Sequence, residues 1–224
     1  MQPSSSDTCV LQAPRRSGTG PTATVYVVDD DVSVREALEG LIQVSGWRAR
    51  TFACAADFLD SAPDAGPSCL VLDVGLPDLN GLDLQDRIGS QLVGMPIIFI
   101  TGYGDVPMTV RAMKAGAAEF LTKPFGDEVL LAAIDDALQR SQAVLAEQTA
   151  LQALRDRRAG LSRRECEVMD LVVTGLLNKQ VGGELGISEI TVKAHRGRVM
   201  EKMQARSLAD LVRMSQRLGL HPED

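Results

Sequence analysis

At 224 residues, with 45% apolar and 24% charged residues, the chain is long enough for two modest domains with buried cores, and its composition excludes wholesale disorder. No apolar run approaches the roughly 20 residues needed to cross a bilayer, which leaves a cytoplasmic protein without a membrane partner as the expectation. The net charge of -7 is uneven: seven basic face fourteen acidic residues from Val25 to Phe125, but twelve face seven from Arg157 to Arg217, so nucleic acid is expected near the second half.

Residues 1–23 are rich in Pro, Ser, Gly and Thr with no apolar stretch, and read as a disordered tail rather than a signal peptide. Cys9, Cys54, Cys69 and Cys166 show no paired CxxC spacing, and only His195 and His221 could join them. A structural zinc site is therefore not expected.

From Val25 short β-rich runs alternate with amphipathic stretches: VYVV then SVREALEGLIQVS, RARTF then AADFLDS, CLVL then LDLQDRIGSQL, IIFI then MTVRAMKAG, and EFLT then a longer helix. Five strands separated by helices predict an α/β domain, a doubly wound five-stranded parallel sheet, because parallel strands need crossovers and are buried on both faces. Ligands of such sheets sit beyond the carboxyl ends of the strands. Those ends carry Asp29, Asp30 and Asp31 after the first strand, Asp73 after the third, Thr101 after the fourth, and Lys123 with Pro124 after the fifth.

Beyond Gly126 no strand signal remains; Leu131, Leu138 and Leu145 recur every seven residues with Ile134 between the first two. This predicts a last helix extended into a linker over 127–158, either a solvated connector or a short coiled coil. After Gly160 the pattern is all-α, with Ser162 capping a first helix to about Thr174, Asn178 opening a second to Leu185, Ser188 capping a third to about Met203, and Ser207 capping a fourth to about Arg217. On the third helix Val192, Val199 and Met203 form one apolar stripe, leaving Lys193, Ala194, Gly197 and Arg198 outward. Four short helices with a basic outward face predict a helix-turn-helix module.

Carboxylates gathered at one sheet edge repel, so the cluster demands strong hydration, a raised pKa or a bound cation. Oxygen ligands without His or Cys favour a hard divalent ion such as Mg²⁺, which leaves room for phosphate. Thr101 supplies a hydroxyl donor and Lys123 a point charge, both suited to phosphoryl oxygens. An aspartate can be a nucleophile toward phosphorus, and Asp73, at the end of the most apolar strand, is the best acceptor.

DDD after the first strand, LVLDVGLPDLNG, FITGYGD and FLTKPF resemble the receiver domain of two-component response regulators over roughly Thr24 to Leu138. LSRRECEVMDLVVTGLLNKQV through ISEITVKAHRGRVMEKM resembles the LuxR-type helix-turn-helix, so the whole chain resembles the NarL/FixJ branch. Domains are accordingly expected at 24–126 for the flavodoxin-like receiver and 159–224 for the DNA-binding part. The resemblance implies that a sensor histidine kinase phosphorylates Asp73, and that Asp30, Asp73 and the carbonyl of Gly75 ligate Mg²⁺ with Asp29 acting through water. It also implies that Thr101 and Lys123 hold the phosphoryl oxygens and that Phe120 changes rotamer. Asp31 falls one place beyond the acidic pair and reads as a helix N-terminal charge.

Phosphorylation is then expected to draw Thr101 inward, let Phe120 move, and reshape the face around Val106 to Thr122, favouring a homodimer or releasing the second domain. Lys179, Lys193, Arg196 and Arg198 are the expected contacts to double-stranded promoter DNA, with RNA polymerase as a further partner. Leu208, Leu211, Val212 and Leu218 form an apolar face, suited equally to dimer contacts or to core. Gly182 and Gly183 depart from the family by interrupting a helix, and Gly197 leaves no side chain where relatives present one to a base. Two rivals remain: an aspartate-nucleophile phosphohydrolase, disfavoured because Gly75 stands where its second aspartate would be, and a docking module with a vestigial pocket.

Overall fold

The computed structural model describes residues 23–88 and 94–220, so the expected tail up to residue 22 and the expected extension of the third helix to residue 92 fall outside the described residues. The chain divides into two compact units, 1–145 and 146–224.

In the first unit the strands β1 (Thr24–Val28), β2 (Arg48–Phe52), β3 (Ser68–Asp73), β4 (Ile97–Thr101) and β5 (Glu119–Thr122) form one parallel sheet in the order β2-β1-β3-β4-β5. The expected doubly wound α/β architecture is therefore present. The three central strands are buried throughout, which is why each reads as an unbroken apolar run. Successive residues point to opposite faces. Tyr26, Val28, Leu70, Leu72 and Phe99 pack with Phe58 of α2 (Ala55–Asp60), Leu82 and Leu84 of α3 (Gly81–Ile88), and Ala112 of α4 (Val106–Lys114). Val25, Val27, Val71, Ile98 and Ile100 pack with Leu38 and Ile42 of α1 (Val32–Val44) and with Leu130, Ile134, Ala137 and Leu138 of α5 (Asp127–Ala159). Each such Val, Leu, Ile or Phe side chain, fully buried, contributes about 1.5–3 kcal/mol.

The first half of α5 thus belongs to the sheet core, and Ser141 reaches it too, accepting the Ser68 N–H at 3.0 Å. Leu138 of the heptad stripe is buried there, whereas Leu131 and Leu145 are half-buried.

Strand order decides the functional geography. From β1 the chain crosses to β2 on one side and then returns to β3 on the other, so the order reverses between β1 and β3. Val28 pairs with Leu72 in register, which brings Asp29 and Asp73 to the same carboxyl edge. The loop after Asp73 is held close: Gly81 N–H donates to Val74 O at 3.1 Å, and a Cβ on Gly81 would lie 2.7 Å from Asp73 O. That close approach explains the glycine that breaks the chain just beyond the strand.

In the second unit α6 (Arg163–Val172), α7 (Asn178–Leu185), α8 (Glu189–Met203) and α9 (Leu208–Arg217) follow the end of α5. Ser162, Ser188 and Ser207 cap α6, α8 and α9 as expected, accepting from the N–H groups of Glu165, Thr191 and Asp210. Val168, Val172, Val181 and Val192 form one core and Met169, Val199, Met203 and Leu211 another. Leu211 lies within one of these cores and Leu208 and Leu218 pack against them, so these three residues of the apolar face serve their own unit, while Val212 is half-buried.

The paired glycines of α7 separate into two roles. A Cβ on Gly182 would lie 2.8 Å from Ile187 O, in the turn where Gly186 takes a left-handed φ of 65° and Ile187 N–H donates back to Gly182 O at 3.0 Å. Gly183 has nothing within 4 Å. Gly182→Ala should therefore destabilise the second unit by about 1–3 kcal/mol through overpacking. Gly183→Ala should stabilise it by about 0.5–1 kcal/mol through helix propensity. Trp47, the one tryptophan, lies in the first unit, so denaturant unfolding of the full chain by far-UV circular dichroism is the measurement; equal effects of the two substitutions would refute the assignment.

Glu165 closes a capping box with Ser162 and accepts from Lys202 Nζ at 2.6 Å, joining the start of α6 to the end of α8. The Lys202 hydrogen bond, then the Ser162 N–H, lower its carboxyl from the ordinary 4.5 to about 2. The folded pKa lies below the unfolded one, so this stabilisation is present above about pH 4.5 and is lost as pH falls through about 2. Replacing Glu165 by Gln should flatten the second unit's stability across that window, read by thermal melts from pH 5 to 2.

Candidate functional site

Asp29 and Asp73 are buried, with 1% and 8% exposure, and neither is left without a partner. Lys123 Nζ, arriving from the end of β5, donates to Asp29 Oδ2 at 2.7 Å and to Asp73 Oδ1 at 2.9 Å. Gly75 N–H donates to Asp73 Oδ2 at 2.7 Å, and Asp31 N–H donates to Asp29 Oδ1 at 2.9 Å. The repulsion expected of the carboxylates is thus answered by an internal ammonium. Burial works to lower the pKa of Lys123, but the hydrogen bonds to Asp29 and Asp73 outweigh it and raise the pKa above the ordinary lysine value.

Thr101 is buried at the adjacent end of β4; its Oγ1 accepts the Tyr103 N–H at 3.1 Å and its carbonyl accepts the Lys123 N–H at 2.7 Å. Direct side-chain contacts join Asp29, Asp73 and Lys123; Thr101 reaches the group through the backbone of Lys123. Asp30 is exposed at the tip of β1, and Asp31 caps α1, accepting the Ser33 N–H at 2.8 Å. Phe120 is half-buried, with its ring centroid 6.1 Å from that of Phe99. The loop between Thr101 and α4 lies against it: a Cβ on Gly104 would come 3.2 Å from Phe120 Cε1 and 2.6 Å from Thr122 Cγ2.

Among the described residues no three His, Cys, Asp or Glu side chains converge to hold a metal ion. The donor set still fits Mg²⁺, which takes one or two carboxylates and completes its shell with carbonyl oxygen and water. Gly75 fits the same site, since a Cβ there would press to 3.1 Å from Asp73 Oδ2.

Two positioning residues escape a reading of the strand ends. Asp78 accepts from Ala55 N–H at 3.3 Å and Ala56 N–H at 3.0 Å, so the loop after Asp73 caps α2, whose own N-cap residue Cys54 makes no side-chain bond. Burial opposes ionisation, but the Ala56 and Ala55 N–H groups prevail and hold the Asp78 carboxyl below its ordinary value. Arg35 Nη1 donates to Asp29 O at 2.7 Å. A cysteine at a helix start, where a capping residue belongs, is the available signal for Asp78; nothing local marks Arg35.

In the second unit Lys179, Lys193 and Arg198 are exposed, as is Gly197. Arg196 is half-buried, and its Nη1 donates to Asn178 Oδ1 at 3.1 Å, tying α8 to the start of α7. His195 is also half-buried, and its Nδ1 is buried without a hydrogen-bond partner.

Residues 25–135 match the family model of the response regulator receiver domain, and residues 159–215 that of the bacterial regulatory proteins of the luxR family. Nodulation protein W of Bradyrhizobium diazoefficiens is 52% identical over 198 residues, covering 88% of this chain and 87% of that protein. The transcriptional regulatory protein FixJ of Azorhizobium caulinodans is 43% identical over 200 residues, covering 89% and 95%. The solved structure of the response regulator StyR shares 46% identity at a TM-score of 0.79, covering 88% of this chain and all of that one (100%). An acidic strand edge closed by a lysine, a capped helical unit with an exposed basic helix, and likeness along most of its length to such regulators place this chain among the response regulators of the NarL/FixJ type, a receiver domain followed by a LuxR-type DNA-binding domain.

Proposed function

We propose that Asp73 accepts a phosphoryl group from a sensor histidine kinase and that its modification governs self-association and promoter binding. The observation that carries this reading is the Lys123 ammonium shared between Asp29 and Asp73, with buried Thr101 at the neighbouring strand end. Nucleophile, counter-charge and hydroxyl donor come from adjacent strands, the set that phosphoryl transfer to a carboxylate requires. Asp30, Asp73 and the carbonyl of Gly75 would hold Mg²⁺, with Asp29 through water; bound there, the ion offsets the negative charge of the transferred group. Lys123 and the Thr101 hydroxyl hold the phosphoryl oxygens. No second aspartate stands two residues after Asp73, where Gly75 lies, so autodephosphorylation is at most slow.

Movement of Thr101 toward the phosphoryl group clears space for Phe120, whose ring edge already lies against the Gly104 backbone. The face so altered carries Val106, Val110 and Met113, exposed at helical spacing on α4, and a homodimer is the proposed consequence. Lys179, Lys193, Arg196 and Arg198 contact the DNA, Arg196 from a position already fixed by Asn178. RNA polymerase is the further partner, and the cytoplasm is the compartment; no helix among the described residues is long and apolar enough to cross a membrane.

Incubation with Mg²⁺ and acetyl phosphate should add one phosphoryl group by intact mass, and Asp73→Asn should abolish the addition. Steady release of phosphate from many small esters would instead favour a hydrolase, and an unmodified chain would favour a docking module. Lys123→Met removes the ammonium while keeping its bulk, leaving two buried carboxylates unpaired. That variant should melt lower than the parent in chelator and should gain more from Mg²⁺, because the divalent ion then replaces the missing charge. An equal Mg²⁺ shift in parent and variant would mean that lysine and metal do not share these carboxylates.

A further inference from the structure

We propose that Ile190 is a specificity-determining residue of the DNA interface, its side chain reading the C5-methyl group of a thymine in the major groove. The inference rests on the DNA-binding reading of the second unit. In a helix-turn-helix the first residues of the second helix meet base edges. That helix is α8, which follows the tight Gly186 turn, and Ile190 lies in its first turn with 83% of its surface exposed.

A lone exposed isoleucine is ordinary, so the argument lies in its company. Ile190, Lys193, Ala194 and Gly197 stand at i, i+3, i+4 and i+7, and all four are exposed, while Val192, Val199 and Met203 are buried in the unit's cores. The outward stripe therefore contains one hydrogen-bonding side chain, Lys193. Two polar neighbours are already engaged: the Thr191 hydroxyl lies 2.8 Å from Ser188 Oγ in the helix cap, and Arg196 is held by Asn178.

Base edges in the major groove offer hydrogen-bond donors and acceptors and one apolar feature, the thymine methyl. A stripe with one ammonium and otherwise apolar or absent side chains has two ways to discriminate bases, the ammonium at guanine O6 and N7 and apolar contact with that methyl, and Ile190 supplies the second. Gly197 and Ala194 add no bulk, so the helix can lie close in the groove. Ile190 and Lys193 are about 4.5 Å apart along the helix axis, from a rise of about 1.5 Å per residue. The spacing approximates one base-pair step of about 3.4 Å, so isoleucine and lysine address neighbouring pairs.

The test uses the full-length phosphorylated protein. Duplexes are selected from a random pool, and each thymine of the selected half-site is then replaced by uracil, which lacks only the methyl. Binding by the parent should weaken at one position per half-site by about fourfold, the worth of one buried methyl-sized group. Ile190→Ala should bind the thymine and uracil sites equally, Ile190→Val should keep the discrimination, and both should melt like the parent because the position is exposed. Uracil tolerance throughout the site, or undiminished discrimination in Ile190→Ala, would overturn the proposal while leaving DNA binding intact. Failure of the parent to enrich any duplex would overturn the DNA-binding reading and this inference with it.

Discussion

Lys123 Nζ touches Asp29 and Asp73 at once, 2.7 Å and 2.9 Å away, and joins the ends of β1, β3 and β5. Both carboxylates are buried, and a buried charge is tolerated only when paired. A phosphoryl group on Asp73 adds acceptor oxygens and negative charge at the point where Lys123 is already shared. The lysine is not isolated: its backbone N–H donates to Thr101 O, and Phe120 lies three residues earlier, within β5. Asp73 is therefore linked to the ends of β4 and β5 through Lys123 by covalent and hydrogen-bonded steps of this chain.

The second unit uses much of its basic charge internally. Arg158 pairs with Asp170, Arg163 and Arg164 with Glu167, Lys202 with Glu165, Arg213 with Asp210 and Arg217 with Glu147. The exposed pairs are individually weak, yet they orient the side chains involved. The charge excess counted along the chain therefore overstates the cations directed to phosphate; Lys179, Lys193 and Arg198 are exposed and make no ion pair among the described residues. What is firmly placed is the frame of α8: its serine cap, the close turn at Gly182 and Gly186, the Arg196 to Asn178 bond and the Lys202 to Glu165 bond.

The strand runs and the serine caps are legible in the sequence, because burial period and capping are decided by neighbours a few residues away. The β1, β3 and β4 runs are apolar because both faces are covered, and Ser162, Ser188 and Ser207 stand where N–H groups three residues on need acceptors. The carboxyl-edge residues could be named from the same pattern. Their pairing could not: repulsion among the acidic tips is apparent from the chain, but its relief by Lys123 requires the strand order, since lysine and Asp29 are 94 residues apart.

Asp78 shows the same limit, because its partners at the head of α2 lie 22 and 23 residues earlier on a different strand connection. Gly182 appears as a flaw in a helix until the turn brings Ile187 O against it. For this protein, then, the residue pattern alone determined two units, five parallel strands, four short helices of which three carry serine caps, and an acidic edge, all consequences of short-range periodicity and hydrogen bonding. Tertiary structure decided which carboxylates share a cation, which loop caps which helix, which glycine is obligatory and which arginine is already engaged, because each depends on groups brought together only by the folded chain.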